Sequence, residues 1–599
     1  MELDPVRLHD ERAGGADDPA GPLRAYQRQM TLRMFDALMT KEVVFVGQAP
    51  TAFGKTVVIR AVVLALIESG KRALIVEPTY SRLKELKGYL EPIGLLPTLL
   101  KSRNKFIEDG IVCPVISKRP NYLWCREQQR LEEQVGSGCK GFTCEIKQQD
   151  TVLRETALGI TVTAALVNRD SWLDQFDAAI FDESHTLPGQ LEQNRIHSIG
   201  SEQLQKLRDY SIGGEALRKA TAFLEKNEAR SEIRTIGKTN IDMIFGGSIS
   251  DVYSVVKESV NREPAYEAVP ATVRNAFHAL EGVASAAEQS GNYKFVLSGD
   301  MIYAAPPSQF LNFRSPNRKS KVKTSVALVS ATIESPKYHA NDCGFSQLGL
   351  VAPYVSDTNP VLERSEQRIF GLIDGPSLKV TGEATDDQTR VLANEIIIDV
   401  LSHFRHPTLI LCRSERDKKR ICAALSESED LRSRIINVDD SQFETADDIE
   451  AHIRTEMSKG MDLVVATASS KLWEGANLDI QFLVVDSLPY VPHDPWKSRQ
   501  GSWVNSKPFR TMIRRFQQGV GRLIRGPGQW GVCVVVDGRL HAQWKIIRSQ
   551  LPLYLTQDVV ITRRDKLVEE IQTFVAEATS RVEQGQSRPS LLRQSKLEN

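Results

Sequence analysis

Residues 43–67 constrain the fold more than any other stretch of this chain. Val43-Val-Phe-Val46 is a short, continuously apolar run, as a strand buried on both faces of a parallel sheet requires. Gln48-Ala-Pro-Thr-Ala-Phe-Gly-Lys-Thr56 follows, and then the apolar Val57 to Ile67, which reads as a helix. A strand, a turn of small residues and a helix, in that order, aim backbone N–H groups at whatever sits above the helix N-terminus. Such a turn holds phosphate. In that geometry Lys55 reaches the β/γ-phosphates and the Thr56 hydroxyl holds Mg²⁺, with Thr51 and Gly54 in the loop.

The alternation continues. Ala73-Leu-Ile-Val76 reads as a strand and Leu83 to Leu90 as a helix, and Ile160 to Thr163 and Ala178 to Phe181 read as further strands. Residues 186 to about 292 differ, with polar helical stretches such as Glu202 to Tyr210 and Glu215 to Asn227. Sheet character returns at Tyr293-Lys-Phe-Val-Leu297 and Val326-Ala-Leu-Val329. A second α/β unit begins near 369, with strands at Thr408 to Cys412, Leu463 to Thr467, Phe482 to Val485 and Val532 to Val536. The pattern predicts an α/β protein with two doubly wound parallel sheets and two insertions in the first.

Lys and Arg together number 76, as do Asp and Glu, so no global field draws the chain to nucleic acid. A local groove would suffice for that. The basic run Arg314, Arg318, Lys319, Lys321 and Lys323 reads most simply as a solvated loop. No apolar run is long enough to span a bilayer and no signal core opens the sequence, so the expectation is a cytoplasmic protein. Four of the eight cysteines, Cys113, Cys125, Cys139 and Cys144, fall close together, which suggests metal before disulfide. Cys412 and Cys533 sit in apolar runs and are expected to be buried.

Other residues carry chemistry. Asp182-Glu183-Ser184-His185 ends the strand Ala178 to Phe181. There Asp182 would hold Mg²⁺, Glu183 would orient or deprotonate a water, and His185 would couple the site to its neighbours. Ser330-Ala-Thr332 also follows a strand; it is either a helix N-cap or a link from hydrolysis to domain motion through Ser330 and Thr332. Gln518-Gly-Val-Gly-Arg-Leu-Ile-Arg525 supplies Gln518, Arg522 and Arg525, with the two arginines one helical turn apart. Arginines so placed stabilise charge on a transferring phosphoryl group. Ahead of the first strand, Arg24-Ala-Tyr-Gln27-Arg-Gln-Met30 offers an amide to an adenine edge, with Arg24 beside it.

Taken together these segments resemble the XPD/DinG family of superfamily 2 DNA helicases, over Arg24 to Arg539. Trp473-Glu-Gly-Ala-Asn-Leu478 is similar to the family's Trp-Glu-Gly-Val-Asp-Leu, and Ser487-Leu-Pro-Tyr-Val-Pro-His-Asp-Pro495 to a following Leu-Pro-Phe…Asp-Pro element. Asp537-Gly-Arg539 closes the set. Lys118-Arg-Pro-Asn-Tyr-Leu-Trp-Cys125 resembles the segment that carries the first iron–sulfur ligand in DinG proteins, and Cys139 and Cys144 resemble the next two ligands. The family's fourth cysteine is missing before Asp182, and Cys113 stands on the other side of Cys125. The set therefore suits a [4Fe–4S] cluster, a structural zinc, or a vestigial domain without metal. Some DinG-like helicases of type IV CRISPR systems have a degraded iron–sulfur domain, so the irregular cysteines here also resemble that subgroup.

The resemblance implies two RecA-like domains, the first carrying a cysteine-bearing insertion and a mostly helical, arch-like insertion. The expected boundaries are disordered tails at 1–22 and 581–599, first-domain pieces at 23–110, 151–185 and 293–352, the cysteine insertion at 111–150, the arch at 186–292, and the second domain at 353–580. It implies a monomer that hydrolyses ATP with Mg²⁺ and moves 5′→3′ on single-stranded DNA. Forked or R-loop DNA would be unwound, and a CRISPR effector complex is a candidate partner. Tyr80, Tyr122 and Trp473 are candidates to stack on bases, or else pack in cores, and Glu474 to couple the domains. The rival reading is a DNA-stimulated ATPase that remodels protein–DNA complexes without unwinding.

Overall fold

The computed structural model describes residues 4–584, apart from 14–21, 41, 51–52, 102–144, 211–213, 229–232, 262–268, 309–310, 315–321, 334, 346, 357–358, 360–361, 363–364, 379–386, 440–441, 444–445, 468–469, 471, 473–477, 492–505, 525 and 527. Thr51, Tyr122, Trp473, Glu474, Arg525 and the cysteines 113, 125, 139 and 144 lie outside the described residues.

The apolar runs pair as parallel strands. The strands of the first half are β1 (Val43–Gln48), β2 (Ala73–Glu77), β3 (Thr98–Leu99), β4 (Leu158–Val162), β5 (Ala178–Phe181), β6 (His197–Gly200), β7 (Arg234–Ile236), β8 (Lys294–Ser298), β9 (Met301–Ala305), β10 (Ser325–Ser330) and β11 (Leu350–Val355). Seven of them form one parallel sheet in the order β11-β1-β10-β5-β2-β4-β3. Every residue of β1, β2, β4, β5 and β10 is buried, as the continuous apolar pattern requires.

The second half adds β12 (Glu366–Leu372), β13 (Thr408–Cys412), β14 (Ile435–Ile436), β15 (Leu463–Thr467), β16 (Phe482–Val485), β17 (Trp530–Val535) and β18 (Val559–Thr562). They form a second parallel sheet, ordered β14-β15-β13-β16-β17-β12-β18, with an apolar core on each face. Two RecA-like parallel sheets are thus present. Cys412 and Cys533 are buried, and burial pushes the Cys412 thiol well up.

Three features depart from the sequence reading. The stretch at 293–297 is a strand, but not of the first sheet. β8 and β9 pair antiparallel with β7 and β6, so the insertion after His185 carries its own four-stranded sheet and its own core. Its alternating strands can face helices on one side only, which the polar composition of 186–292 hid. Second, the N-terminal stretch is not a tail throughout: Pro5–Arg12 is a helix, capped by Asp4, with Val6 and His9 buried. His9 Nε2 accepts from Arg60 Nε (3.0 Å), and Arg60 on helix Lys55–Glu68 is itself fully buried. Third, Arg314 of the basic run is buried and donates to Asp174 and the Asp170 carbonyl instead of facing solvent. Among the described residues, no helix is long and apolar enough to cross a membrane.

A buried guanidinium needs acceptors. His9→Ala should therefore lower stability by about 2 kcal/mol, the cost of withdrawing a buried partner from a charged donor. Urea unfolding monitored by tryptophan fluorescence measures this, with earlier proteolysis near residue 13 expected alongside.

Candidate functional site

β1, β10, β5 and β2 are neighbours in that order, so their C-terminal ends line up along one edge. The edge collects Ala49, Ser330, Asp182 and Glu77. The ladder runs on past the strands: Ala49 N donates to Ser330 O (3.1 Å), and Asp182 N to Val76 O (2.9 Å).

The phosphate loop closes on Gly54, whose φ of +80° is a left-handed conformation. A Cβ here would stand 2.4 Å from Gln27 Nε2, so the position has no room for a side chain. Gln27 is buried; its Nε2 donates to Phe53 O (2.9 Å) and its Oε1 accepts from Arg24 N (2.8 Å). The amide expected to read adenine thus ties the loop, through Nε2, to the N-terminus of its own helix, through Oε1. Arg24 Nη1 lies 2.9 Å from Tyr26 Oη, and Tyr26 rests its ring on Phe53. Lys55 and Thr56 open the helix Lys55–Glu68 immediately after Gly54.

Lys55 Nζ sits 3.3 Å from Glu183 Oε1. Glu183 has φ +45°, one of two positive-φ non-glycine residues among those described. That conformation costs about 1 kcal/mol and is typical of functional turns. Glu183 N donates to Asp182 Oδ1 (2.9 Å). His185 Nδ1 lies 2.9 Å from Ser330 Oγ and 3.3 Å from Glu183 Oε2, and Thr332 N donates to Ser330 Oγ (3.2 Å). Lys55, Asp182, Glu183, His185, Ser330 and Thr332 therefore form one connected group.

Its electrostatics divide the carboxylates. Burial, with Glu183 alongside, raises Asp182 to about 6. Burial would raise Glu183 too, but Lys55 and the His185 hydrogen bond outweigh it and hold Glu183 well below the usual range. Glu77, which the sequence reading overlooked, ends β2 and is buried, with no hydrogen-bond partner for Oε2 among the described residues. Burial and then Asp182 push its pKa well up. A charged residue closing an apolar strand was a visible signal for it. Asp182, buried at the strand end, and the Thr56 hydroxyl are hard oxygen donors of the kind that takes Mg²⁺. Among the described residues, no group of three or more His, Cys, Asp or Glu could hold a metal ion by itself.

The second domain approaches through the helix Lys507–Val520, which carries Gln518 in its last turn. Its Gln517 Oε1 accepts from Gln48 Nε2 (3.4 Å), directly before the phosphate loop. The helix stops at Gly521, where Gly519 and Gly521 weaken it, so the buried Arg522 lies in the following turn and not on the helix. Arg525, expected one helical turn on, lies outside the described residues. Asp537 and Arg539 form a bidentate pair (2.6 Å for the shortest contact), and Asp537 accepts from Leu488 N (3.0 Å), tying the Ser487–Tyr490 turn to the strand end. Tyr80 begins the helix Tyr80–Leu90 after β2, on the same edge as Glu77.

Above its ordinary value, the Asp182 pKa has a consequence for stability. The folded state holds that proton more tightly than the unfolded chain, so ionisation costs stability as pH rises from 3.8 to about 6 and above. Asp182→Asn should therefore raise the melting temperature at pH 7.5 in the absence of nucleotide and Mg²⁺. At pH 4 the gain should vanish. Differential scanning calorimetry at both pH values checks this.

Comparison with known proteins agrees with this geometry. Residues 397–558 match the family described as Helicase C-terminal domain. The Methanocaldococcus jannaschii protein called "Probable ATP-dependent helicase MJ0942" is 23% identical over 312 residues, covering 48% of this chain and 44% of that protein. The chain thus spans less than half the length of that relative. The solved structure named "XPD_Helicase" is similar at a TM-score of 0.62 and 14% identity, over 90% of this chain and 99% of that one. "Structure of S. tokodaii Xpd4" follows the same fold at a TM-score of 0.52 and 12% identity, over 90% of this chain and 100% of that one. The family match places a helicase C-terminal domain at residues 397–558, and the two solved structures share the fold of the chain.

Proposed function

We propose that this chain is an ATP-dependent DNA helicase that moves 5′→3′ on single-stranded DNA and unwinds forked or R-loop structures. One observation carries the hydrolytic part of that reading. Lys55, Glu183, His185 and Ser330 are joined at one strand edge, and a helix from the other sheet reaches its base at Gln48.

The chemistry follows from the contacts. The loop amides and Lys55 hold the β/γ-phosphates of ATP. Lys55 then trades its carboxylate partner for phosphate oxygens. Glu183 loses the cation that suppressed its basicity and is free to orient or deprotonate the attacking water. Asp182 and Thr56 would hold Mg²⁺, which supplies charge neutralisation at the phosphates when bound. Arg522 and Arg525, from the second domain, stabilise charge on the γ-phosphoryl group, and Gln518 lies close by in the chain. His185, Ser330 and Thr332 report the state of Glu183 to the rest of the first sheet.

DNA as substrate, the polarity and a setting in repair, replication or a type IV CRISPR system rest on the family resemblance and its motifs. Iron and zinc contents of anaerobically purified protein decide among a cluster, a zinc site and a metal-free cysteine domain. Cys125→Ser or Cys139→Ser removes the metal in the first two cases.

Lys55→Ala and Glu183→Gln should each lower DNA-stimulated ATP hydrolysis by roughly a hundredfold or more. Glu183→Gln should still bind ATP. A coupled phosphate-release assay and nucleotide titration measure both. The polarity is tested with tailed duplexes: a 5′ single-stranded tail should support strand separation and a 3′ tail alone should not. Robust hydrolysis with separation of neither would favour the remodelling ATPase.

A further inference from the structure

The helix Lys507–Val520 turns one face toward the first domain: residues 507, 510, 514 and 517 recur at helical spacing. Lys507 Nζ donates to Glu192 Oε1 (2.5 Å), on the helix Leu187–Arg195 that leaves the Asp182–His185 turn. Gln517 meets Gln48. Between them, Arg510 grips a single short helix, Pro336–Asp342. Its Nη2 lies 2.8 Å from Asp342 Oδ1 and 2.6 Å from Oδ2, its Nε lies 3.2 Å from Oδ2, and its guanidinium sits 5.0 Å from the centre of the Tyr338 ring.

That short helix has a second attachment. His339, three residues before Asp342, places Nε2 2.9 Å from Ser184 Oγ, and Cys343 Sγ lies 3.6 Å from Ser184 O. Ser184 directly follows Glu183, the residue held at φ +45°. The chain of contacts is therefore unbroken: Glu183, Ser184, His339, Asp342, Arg510, and so the helix that carries Gln518 and leads to Arg522. The Arg510 and Asp342 side chains are only 7% and 13% exposed, so water does not screen their attraction as it would on the surface.

We infer that Arg510 and Asp342 form a positioning pair. They set the helix Lys507–Val520 against the Glu183 turn and so place Gln518 and Arg522 for hydrolysis. Neither residue touches nucleotide in this assignment. Tyr338 holds the guanidinium plane, and His339 transmits the position of the Ser184 turn. The inference rests on the reading of the site as an ATPase.

The experiment measures DNA-stimulated kcat, KM for ATP and melting temperature in the full chain. It compares wild type, Asp342→Asn, Arg510→Gln and the double variant. Each single change should lower kcat about tenfold or more, with KM for ATP within about threefold, because the nucleotide is held by the first domain. The double should be no worse than the poorer single variant, as a coupled pair requires. Multiplicative losses in the double, an unchanged kcat, or a rise in KM alone would overturn the pairing. Should a single variant fail to fold, the double decides, since neither charge is then left buried alone: wild-type kcat in it would overturn the role. Wild type without ATP hydrolysis would instead overturn the reading of the site itself.

Discussion

Parallel pairing between β1 and β10 is the constraint on which the site depends. The two strands are aligned from Val44 and Val326 to Gln48 and Ser330, and the next amide, Ala49 N, still bonds back to Ser330 O. That last bond fixes where the phosphate loop leaves the sheet. It also fixes Ser330 Oγ, from which His185 and the Thr332 amide take their positions. In a parallel sheet the crossover helices leave the strand ends open, so neighbouring chain segments meet there without a loop between them.

The site holds its charges at a cost to the fold. Glu77 and Asp182 are buried with their pKa values pushed up, and Glu183 sits in a left-handed backbone conformation. Lys55 offsets part of this, through Glu183. A protein selected only for stability would replace these carboxylates with apolar or amide side chains. Their presence along one strand edge marks the place where charge has a use.

The first and second sheets were legible because their central strands are mostly apolar. β13, β15 and β16 have the very ends that periodicity gives, and Lys55, Asp182 and Glu183 follow from strand–turn–helix order. Edge strands were harder: β3 and β14 have two residues each, too short to carry a pattern. β11 exposes Leu350 and includes Pro353, which reads against a strand although its position at the sheet edge tolerates it. The pair Arg510–Asp342 and the contact of His339 with Ser184 join segments far apart in the chain. No local motif announces them, because an ion pair across two domains leaves no periodic trace. The helix Pro5–Arg12 was missed because its buried face amounts to Pro5, Val6 and His9.

The insertion that follows His185 has stalks at adjacent strands. It departs from the end of β5, through Leu187–Arg195, and the chain re-enters the sheet at β10, the strand hydrogen-bonded to β5. It also has a core of its own, so it can move as a stiff body. Its outgoing root is the Asp182–His185 turn itself, which passes through Ser184–Thr186 straight into Leu187–Arg195. Tension on the insertion would be felt first as torque on Glu183.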